Sequence, residues 1–141
     1  MIEELGELAH HQLKLDQGIR GSALFHATES KDAIGDMVIY LLGVFSVEER
    51  KAHLLAWAPV EPPRTPQDTI LHLARTIGRL TTSTRPGVQA ARVMWLCKHY
   101  CGLRGWDFDT VVQDTWNVVK ERDWIADPQA GGESPLPPLP E

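Results

Sequence analysis

Hydrophobic residues recur at helical spacing along most of the chain, and no segment shows the strict alternation that is typical of a half-buried strand. The pattern predicts about five helices and an all-α fold. The first helix is expected over Ile2–Gln17, and Gly18 and Gly21 are expected to end it. Its apolar side is formed by Ile2, Leu5, Ala9 and Leu13, and is widened by Leu8 and Leu15.

The second predicted helix is the most hydrophobic segment of the chain. It is expected to run from Lys31 to Val47, with Ser30 as its N-cap. Residues 34–45 are apolar nearly all round, which is typical of a helix covered on every side. This helix is therefore expected to lie at the centre of the fold.

Three further helices are predicted in the second half of the chain. Thr65 and Pro66 give a typical helix start, an N-cap followed by proline at the first position. The fourth helix is expected over residues 88–100 with Gly102 as its stop, and the fifth is expected to begin at Asp107 or Asp109.

The predicted domain covers residues 1–125. The remaining segment, 126–141, contains the run Pro-Leu-Pro-Pro-Leu-Pro and is expected to be a disordered tail.

Composition narrows the range of functions. No apolar run is long enough for a membrane span and the N-terminus lacks a signal-peptide pattern, so we expect a cytoplasmic protein with no membrane partner. The formal net charge of −5 disfavours a nucleic-acid partner. The two cysteines, Cys97 and Cys101, do not indicate a disulfide framework.

Acidic residues on the first two helices are the main candidates for chemistry. Glu4 and Glu7 lie about 60° apart on the first helix, beside its apolar stripe. Asp36 interrupts the apolar second helix, and Asp32 lies one turn before it, within about 40° on the same face. The simpler interpretations are a solvated edge for the glutamates, a buried salt bridge for Asp36 and a first-turn acid for Asp32.

Antiparallel pairing of these two helices would bring three or four carboxylates together. Clusters of oxygen ligands alone favour hard cations such as Mg²⁺ or Mn²⁺, and magnesium commonly bridges substrate phosphates. The pattern therefore favours a site that cuts a phosphoanhydride bond.

Two segments resemble the MazG-like all-α NTP pyrophosphohydrolases of phages and bacteria. They are residues 3–9 (Glu-Glu-Leu-Gly-Glu-Leu-Ala) and 31–41 (Lys-Asp-Ala-Ile-Gly-Asp-Met-Val-Ile-Tyr-Leu), and residues 105–124 resemble the family's C-terminal helix. The family motif is Glu-x-x-Glu followed, after a gap, by Glu-x-x-Asp. The resemblance implies that Glu4, Glu7 and Asp36 are metal ligands. The fourth ligand position carries Ala33, for which Asp32 is the substitute.

The resemblance also implies an activity. A MazG-like helical bundle, assembled as a homodimer or homotetramer, would use Mg²⁺ to hydrolyse a nucleoside triphosphate to the monophosphate and pyrophosphate, which controls the nucleotide pool. Glu7 or Glu3 would accept the proton of the attacking water. The cations expected near the outer phosphates are Lys14, Arg20, Lys31, Lys120 and Arg122.

Those cations have a simpler interpretation as solubilising surface charges. Two other functions also stay open. The altered residue at position 33 is compatible with a catalytically weakened module that senses nucleotides or binds a protein. Phosphoribosyl-ATP pyrophosphatases share the fold and the acidic pattern, so the substrate class has an alternative as well.

Overall fold

The structure, a computed structural model, describes residues 1–44, 59–80, 82–122 and 125–128. These residues form five helices and contain no strand: α1 (Ile2–Gln17), α2 (Ala23–Val44), α3 (Pro66–Arg79), α4 (Pro86–Arg104) and α5 (Phe108–Val119). The predicted all-α class is confirmed. None of the described helices combines the length and the apolar character needed to cross a bilayer.

Helix α2 is the centre of the bundle, as its sequence predicts. It packs against α1, α4 and α5. Its core side chains are almost completely inaccessible to solvent: Ala33, Ile34, Met37, Val38 and Leu41. They meet Leu8 of α1 and a row of buried residues on α4. Burial of each large apolar side chain is worth about 1.5–3 kcal/mol, so α2 and α4, which adds Val93, Met94 and Leu96, are both major sources of hydrophobic stabilisation.

The predicted start of α2 is wrong. The helix begins at Ala23, where the hydroxyl oxygen of Ser22 accepts a hydrogen bond from the backbone N–H of Phe25 at 3.1 Å. Ser30 lies inside the helix and is buried, so it is not an N-cap. Asp32 is consequently in the middle of α2, far from the favourable first turn of the helix dipole. The predicted end at Val47 lies outside the described residues.

A tight turn makes α1 and α2 an antiparallel hairpin. Helix α1 has the predicted bounds, and its C-cap Gly18 adopts a left-handed conformation with φ 65°, which lets its N–H reach the carbonyl of Leu15. Gly21, with φ 126°, completes the reversal and lies against Phe25.

The other helix starts follow the sequence signals more closely than the helix ends do. The Thr65 hydroxyl accepts the N–H of Asp68 at 3.1 Å, as predicted for the start of α3. Asp107, one of the two predicted caps of α5, accepts the N–H of Thr110 at 2.8 Å. Helix α4 passes through Gly102 to Arg104.

The C-cap of α4 is Gly105, with φ 75°. The glycine predicted to end this helix, Gly102, is an interior helical residue exposed to solvent. The left-handed conformation therefore occurs three residues later than predicted.

A polar network, buried at Gln12 and Tyr100 and exposed at Asp16 and Gln67, joins α1 to α3 and α4. The side-chain carbonyl of Gln12 accepts hydrogen bonds from the Tyr100 hydroxyl at 2.5 Å and from Arg104 at 3.1 Å. The Gln12 amide donates to Asp16 at 2.9 Å, and Gln67 of α3 donates to the other oxygen of Asp16 at 2.8 Å. Because every member has a partner, the network fixes the relative positions of the three helices at little desolvation cost.

Helix α5 approaches α2 at a glycine. Gly35 is buried, and a Cβ atom built there would overlap the hydroxyl and methyl groups of Thr115. The absence of a side chain at Gly35 therefore permits this backbone approach. The predicted tail falls almost entirely outside the described residues, of which 125–128 are exposed.

Candidate active site

The acidic residues of α1 and α2 lie close enough to interact electrostatically. Burial raises the pKa of the Glu7 carboxyl, and the negative charges of Glu3, Glu4, Asp32 and Asp36 raise it further. Glu3, Glu4 and Glu7 belong to α1, whereas Asp32 and Asp36 belong to α2. The structure thus brings together the carboxylates that the sequence predicts as a set.

Asp36 is the most perturbed member of this carboxylate cluster, which we define as Glu4, Glu7, Asp32 and Asp36. Burial raises the pKa of its carboxyl to about 6, and the charges of Asp32 and Glu4 act in the same direction. Arg122, just beyond α5, opposes the shift. A half-buried carboxyl with like-charged neighbours is destabilised when ionised, so this position favours a cation.

Glu4 shows how a cation is accommodated. Burial acts to raise the pKa of its carboxyl, but the N-terminal ammonium and a backbone hydrogen bond outweigh burial and hold that pKa below its usual value. The Oε2 atom lies 2.5 Å from the N-terminal nitrogen. The contact is an ion pair, and the same ammonium lowers the pKa both by hydrogen bonding to the carboxylate and by its charge.

The donor set matches a hard cation in kind. All four members offer carboxylate oxygens, the ligands that Mg²⁺ prefers, and the Oε2 atom of Glu4 already lies against one cation, the N-terminal ammonium. Within the described residues, however, no three acidic, histidine or cysteine side chains are arranged as a coordination set. Mutual repulsion separates ionised carboxylates, so binding would require side-chain rotations that draw them together.

Position 33 belongs to the core rather than to the carboxylate cluster. Ala33 is 0% exposed and packs in the main hydrophobic cluster. A glutamate there would be desolvated in apolar surroundings.

Glu29 is a candidate that the sequence prediction missed. It is half-buried on α2, three residues before Asp32, so Glu29-Ser30-Lys31-Asp32 has the spacing Glu-x-x-Asp. The predicted helix start at Lys31 left Glu29 outside the helix and hid this spacing. In the actual helix, Glu29 is about 60° from Asp32 and about 20° from Asp36, which puts all three acids on one face.

A histidine pair adjoins Glu29. His26 is buried, and its Nε2 lies 3.0 Å from the carbonyl oxygen of Ile19, so this nitrogen donates. Its Nδ1 therefore accepts from Nδ1 of His11, 3.0 Å away across the hairpin. Burial lowers the pKa of His11, as does His10, whereas the charge of Glu29 raises it. The pair joins the two helices one turn from the carboxylate cluster.

Among the predicted cations, Arg122 is the one whose charge acts on the carboxylate cluster, through Asp36. Lys120 is exposed at the C-cap of α5. Lys31 extends over the indole of Trp106, 5.2 Å from its centroid, and Arg104 lies 4.8 Å from the same ring. The cation–π contacts with Trp106 account for the position of Lys31 in this structure.

Lys14 and Arg20 lie near the opposite end of the α1–α2 hairpin. Lys14 donates to the side chain of Gln17 at 3.3 Å, and Arg20 is in the connecting turn with φ 55°. Ten residues of helix separate Lys14 from Glu4, or about 15 Å along the axis. The structure therefore does not bring these two cations beside the carboxylate cluster.

An apolar cleft of about 440 Å³ lies between the second half of α2 and α5. Its lining is Ile39, Leu42, Gly43, Val112, Gln113 and Trp116. The indole of Trp116 is 46% exposed, and Gln113 offers an amide. Ile39 and Gly43 lie within about 60° of Asp36 on the helix, so the cleft continues the acidic face of α2 toward its C-terminus.

A second, more polar cavity of about 260 Å³ lies between α2 and α5 on the other side of Gly35. Its lining includes Glu29, Lys31 and Asp32 from α2, and Asp114 from α5. Acidic side chains therefore lie on the side of α2 that faces α1 and also on the side that faces α5.

Comparisons with protein-family models, with curated proteins and with solved structures found no match. The resemblance to the MazG-like family therefore stays a prediction, and function has to be inferred from the residues of the site.

Proposed function

We propose that this protein is a Mg²⁺-dependent pyrophosphohydrolase that converts a ribo- or deoxyribonucleoside triphosphate to the monophosphate and pyrophosphate. The observation that carries the proposal is the carboxylate cluster, in which burial and the charges of neighbouring acids raise the pKa values of Glu7 and Asp36. Clustered carboxylates that raise one another's pKa are common in functional sites and are unfavourable for stability.

The proposed ligands are Glu4, Glu7, Asp32 and Asp36, with Glu29 added. Glu29 and Asp32 supply the Glu-x-x-Asp spacing one turn earlier than positions 33 and 36. In this proposal, Glu29 provides the carboxylate that Ala33 lacks. Mg²⁺, when bound by these oxygens, would neutralise the phosphate oxygens of the substrate.

Glu7 is the proposed proton acceptor. Its raised pKa makes it a stronger base than an ordinary glutamate, which suits removal of a proton from the attacking water. As the water oxygen bonds to the α-phosphorus, the bond from that phosphorus to the oxygen bridging to the β-phosphate breaks, and pyrophosphate leaves. Glu3, exposed on the same helix, is the alternative acceptor.

Substrate binding is proposed to use Arg122 and the apolar cleft. Arg122 adds positive charge beside Asp36, where negative charge accumulates on the leaving phosphates. The exposed Trp116 indole would stack on the nucleobase, and the amide of Gln113 would offer it a hydrogen bond. The proposal includes a homodimer or homotetramer, and a role in controlling the nucleotide pool.

A second candidate is a nucleotide-sensing module without hydrolytic activity. The finding that favours it is that no three acidic side chains of the described residues have a coordinating arrangement. Such a module would bind nucleoside triphosphates through the same cleft and release no pyrophosphate.

The test is pyrophosphate release from each common ribo- and deoxyribonucleoside triphosphate with Mg²⁺ or Mn²⁺. We expect activity in the wild type, loss of about 100-fold or more in Glu29→Gln and Asp36→Asn, and little change in the control Glu121→Gln, which removes an exposed charge beyond α5. Ala33→Glu separates the two ligand assignments. If Glu29 is the ligand, Ala33→Glu destabilises the core without raising activity.

Two outcomes would overturn parts of the proposal. Higher activity in Ala33→Glu, with Glu29→Gln unchanged, would return the ligand role to position 33. Absence of pyrophosphate with every nucleotide and both metals, in a folded protein that binds nucleotide by calorimetry, would support the sensing module instead.

A further inference from the structure

The charges of the chain are divided unevenly between two parts of the fold. From Thr69 to Trp106 the sequence contains six arginines and lysines and no aspartate or glutamate, so all nineteen acidic residues lie outside this segment. The segment comprises most of α3 and all of α4. A negative net charge therefore coexists with a helical hairpin whose one acidic residue is Asp68, in the first turn of α3, and the local potential beyond that turn has the opposite sign to the whole.

Three of these basic residues form a patch at the closed end of the hairpin, which we call the arginine tip: Arg75, Arg79 and Arg85. Arg75 and Arg79 are exposed one turn apart near the C-terminus of α3, and Arg85 is exposed at the N-cap of α4. Within the residues that the structure describes, none of the three side chains forms an ion pair. Their charges are thus available to an external anion.

The arginine tip is electrostatically separate from the carboxylate cluster. The pKa shifts of Glu4, Glu7 and Asp36 come from burial, from neighbouring acids, from the N-terminus and a backbone hydrogen bond, and from Arg122, and the tip contributes to none of them. Screening at physiological salt acts over about 8 Å. Distant acids therefore do little to weaken the field at the tip, and the net charge is a poor guide to what binds there.

We propose that the arginine tip binds the phosphate backbone of a nucleic-acid strand without sequence preference. All three residues are arginine, whose planar guanidinium pairs with phosphate oxygens through two parallel hydrogen bonds. Arg75 and Arg79 are about 6 Å apart along the helix axis, and their long side chains can reach neighbouring phosphates of one strand.

Other occupants fit the tip less well. An anionic membrane favours a helix with a broad apolar face beside its basic residues, but the exposed face of α3 carries one large apolar side chain, Leu71. The acidic face of a second copy is another possible partner, but this face belongs to the proposed metal site. The test distinguishes these possibilities.

The experiment measures binding of fluorescein-labelled single-stranded RNA and DNA oligonucleotides to the full chain by fluorescence anisotropy. Three phosphate contacts on a single strand predict that affinity falls about 20-fold between 50 and 200 mM salt, from a slope of roughly −0.7 per contact. The variant Arg75→Gln/Arg79→Gln should lose most binding at 50 mM salt. Its residual affinity should fall only about 3-fold over the same salt range.

The matched control is Arg64→Gln/Lys98→Gln. Both residues are exposed and lie at the open end of the same hairpin, where His99 of α4 meets the carbonyl of Pro63 at 2.6 Å. This variant also removes two positive charges, one just before α3 and one on α4, and we expect it to keep the wild-type salt slope. Circular dichroism confirms that both variants are folded.

Three results would overturn the proposal. The first is absence of binding by the wild type at 50 mM salt, and the second is an equal loss in the tip and control variants. The third is a tip-dependent interaction with another partner in place of nucleic acid, seen either as sedimentation with phosphatidylserine vesicles or as self-association in analytical ultracentrifugation.

Discussion

Replacing Asp36 by asparagine should make the metal-free protein more stable while it removes a proposed metal ligand. The carboxyl has a pKa of about 6 in the folded state against 3.8 for an unperturbed aspartate. A shift of that size corresponds to about 3 kcal/mol at 1.36 kcal/mol per unit. Because the group is only half-buried and solvent screens it, we expect a gain of about 1–2 kcal/mol.

The gain should depend on pH in a defined direction. Between the unfolded pKa of 3.8 and the folded value of about 6, the native state binds more protons than the unfolded state, so this group makes the wild type less stable as pH rises. The asparagine variant has no such proton to lose. Its advantage should be near zero below about pH 4, grow through this window and be complete above about pH 6.

The assay is urea unfolding followed by circular dichroism at a series of pH values with EDTA, repeated with Mg²⁺. If the carboxylate cluster binds Mg²⁺, the metal at about ten times its dissociation constant should stabilise the wild type by about 1.4 kcal/mol and the asparagine variant by much less. Glu121→Gln, which removes an exposed charge, controls for net charge. An advantage of Asp36→Asn that is absent at neutral pH, or is as large at pH 4 as at neutral pH, would refute the raised pKa.

Two further substitutions test the packing that positions the site. Gly35→Ala should destabilise the protein by about 1–3 kcal/mol, because the added methyl group would overlap Thr115. The control Gly78→Ala, on an exposed face with open space, should stabilise the protein by about 0.5–1 kcal/mol. Equal effects of the two substitutions in thermal unfolding would contradict the close approach of α5. Tyr100→Phe should lower the free energy of unfolding by about 1–2 kcal/mol, because it removes the buried hydrogen bond to Gln12. Urea unfolding measures this change, and an unchanged midpoint would show that the network contributes little to stability.

The sequence predicted the helices whose signals are local. Helix α1 ends at glycines that adopt left-handed conformations, and α3 begins at a threonine followed by proline, so neither boundary depends on the rest of the fold. The packing of α2 against three other helices also followed from its apolar sequence, but the expected cover on every side is not found in the described residues, where Tyr40 is 55% and Leu42 is 39% exposed.

The start of α2 could not be predicted in the same way. Residues 23–30 include His26, Thr28, Glu29 and Ser30, which are weak helix formers or polar, and Ser30 has the composition of an N-cap. Tertiary contacts outweigh these preferences, since His26 is bonded to His11 and the Ser30 hydroxyl interacts with Tyr100. The error had a consequence for the site, because it hid Glu29 and made Asp32 look like a first-turn acid.

The interaction between acids of α1 and α2 was predictable from their positions on the two helices if these pair antiparallel; the short turn that pairs them was not, because the predicted second helix began at Lys31 rather than Ala23. The cations were not, because their positions depend on side-chain contacts that spacing does not specify. Lys31 is adjacent in sequence to Asp32 yet extends over Trp106, whereas Arg122 comes from the far end of the chain and lies near Asp36.

The close contact between Gly35 and Thr115 is the pivot point about which any small rotation of α5 on α2 would displace the residues of the site unequally. Asp36, next to the pivot, would hardly move. Arg122, seven residues from Thr115 and so about 10 Å away, would travel about 2 Å for a rotation of about 10°. Such a motion would change the distance between a guanidinium and the carboxylate cluster without opening the core.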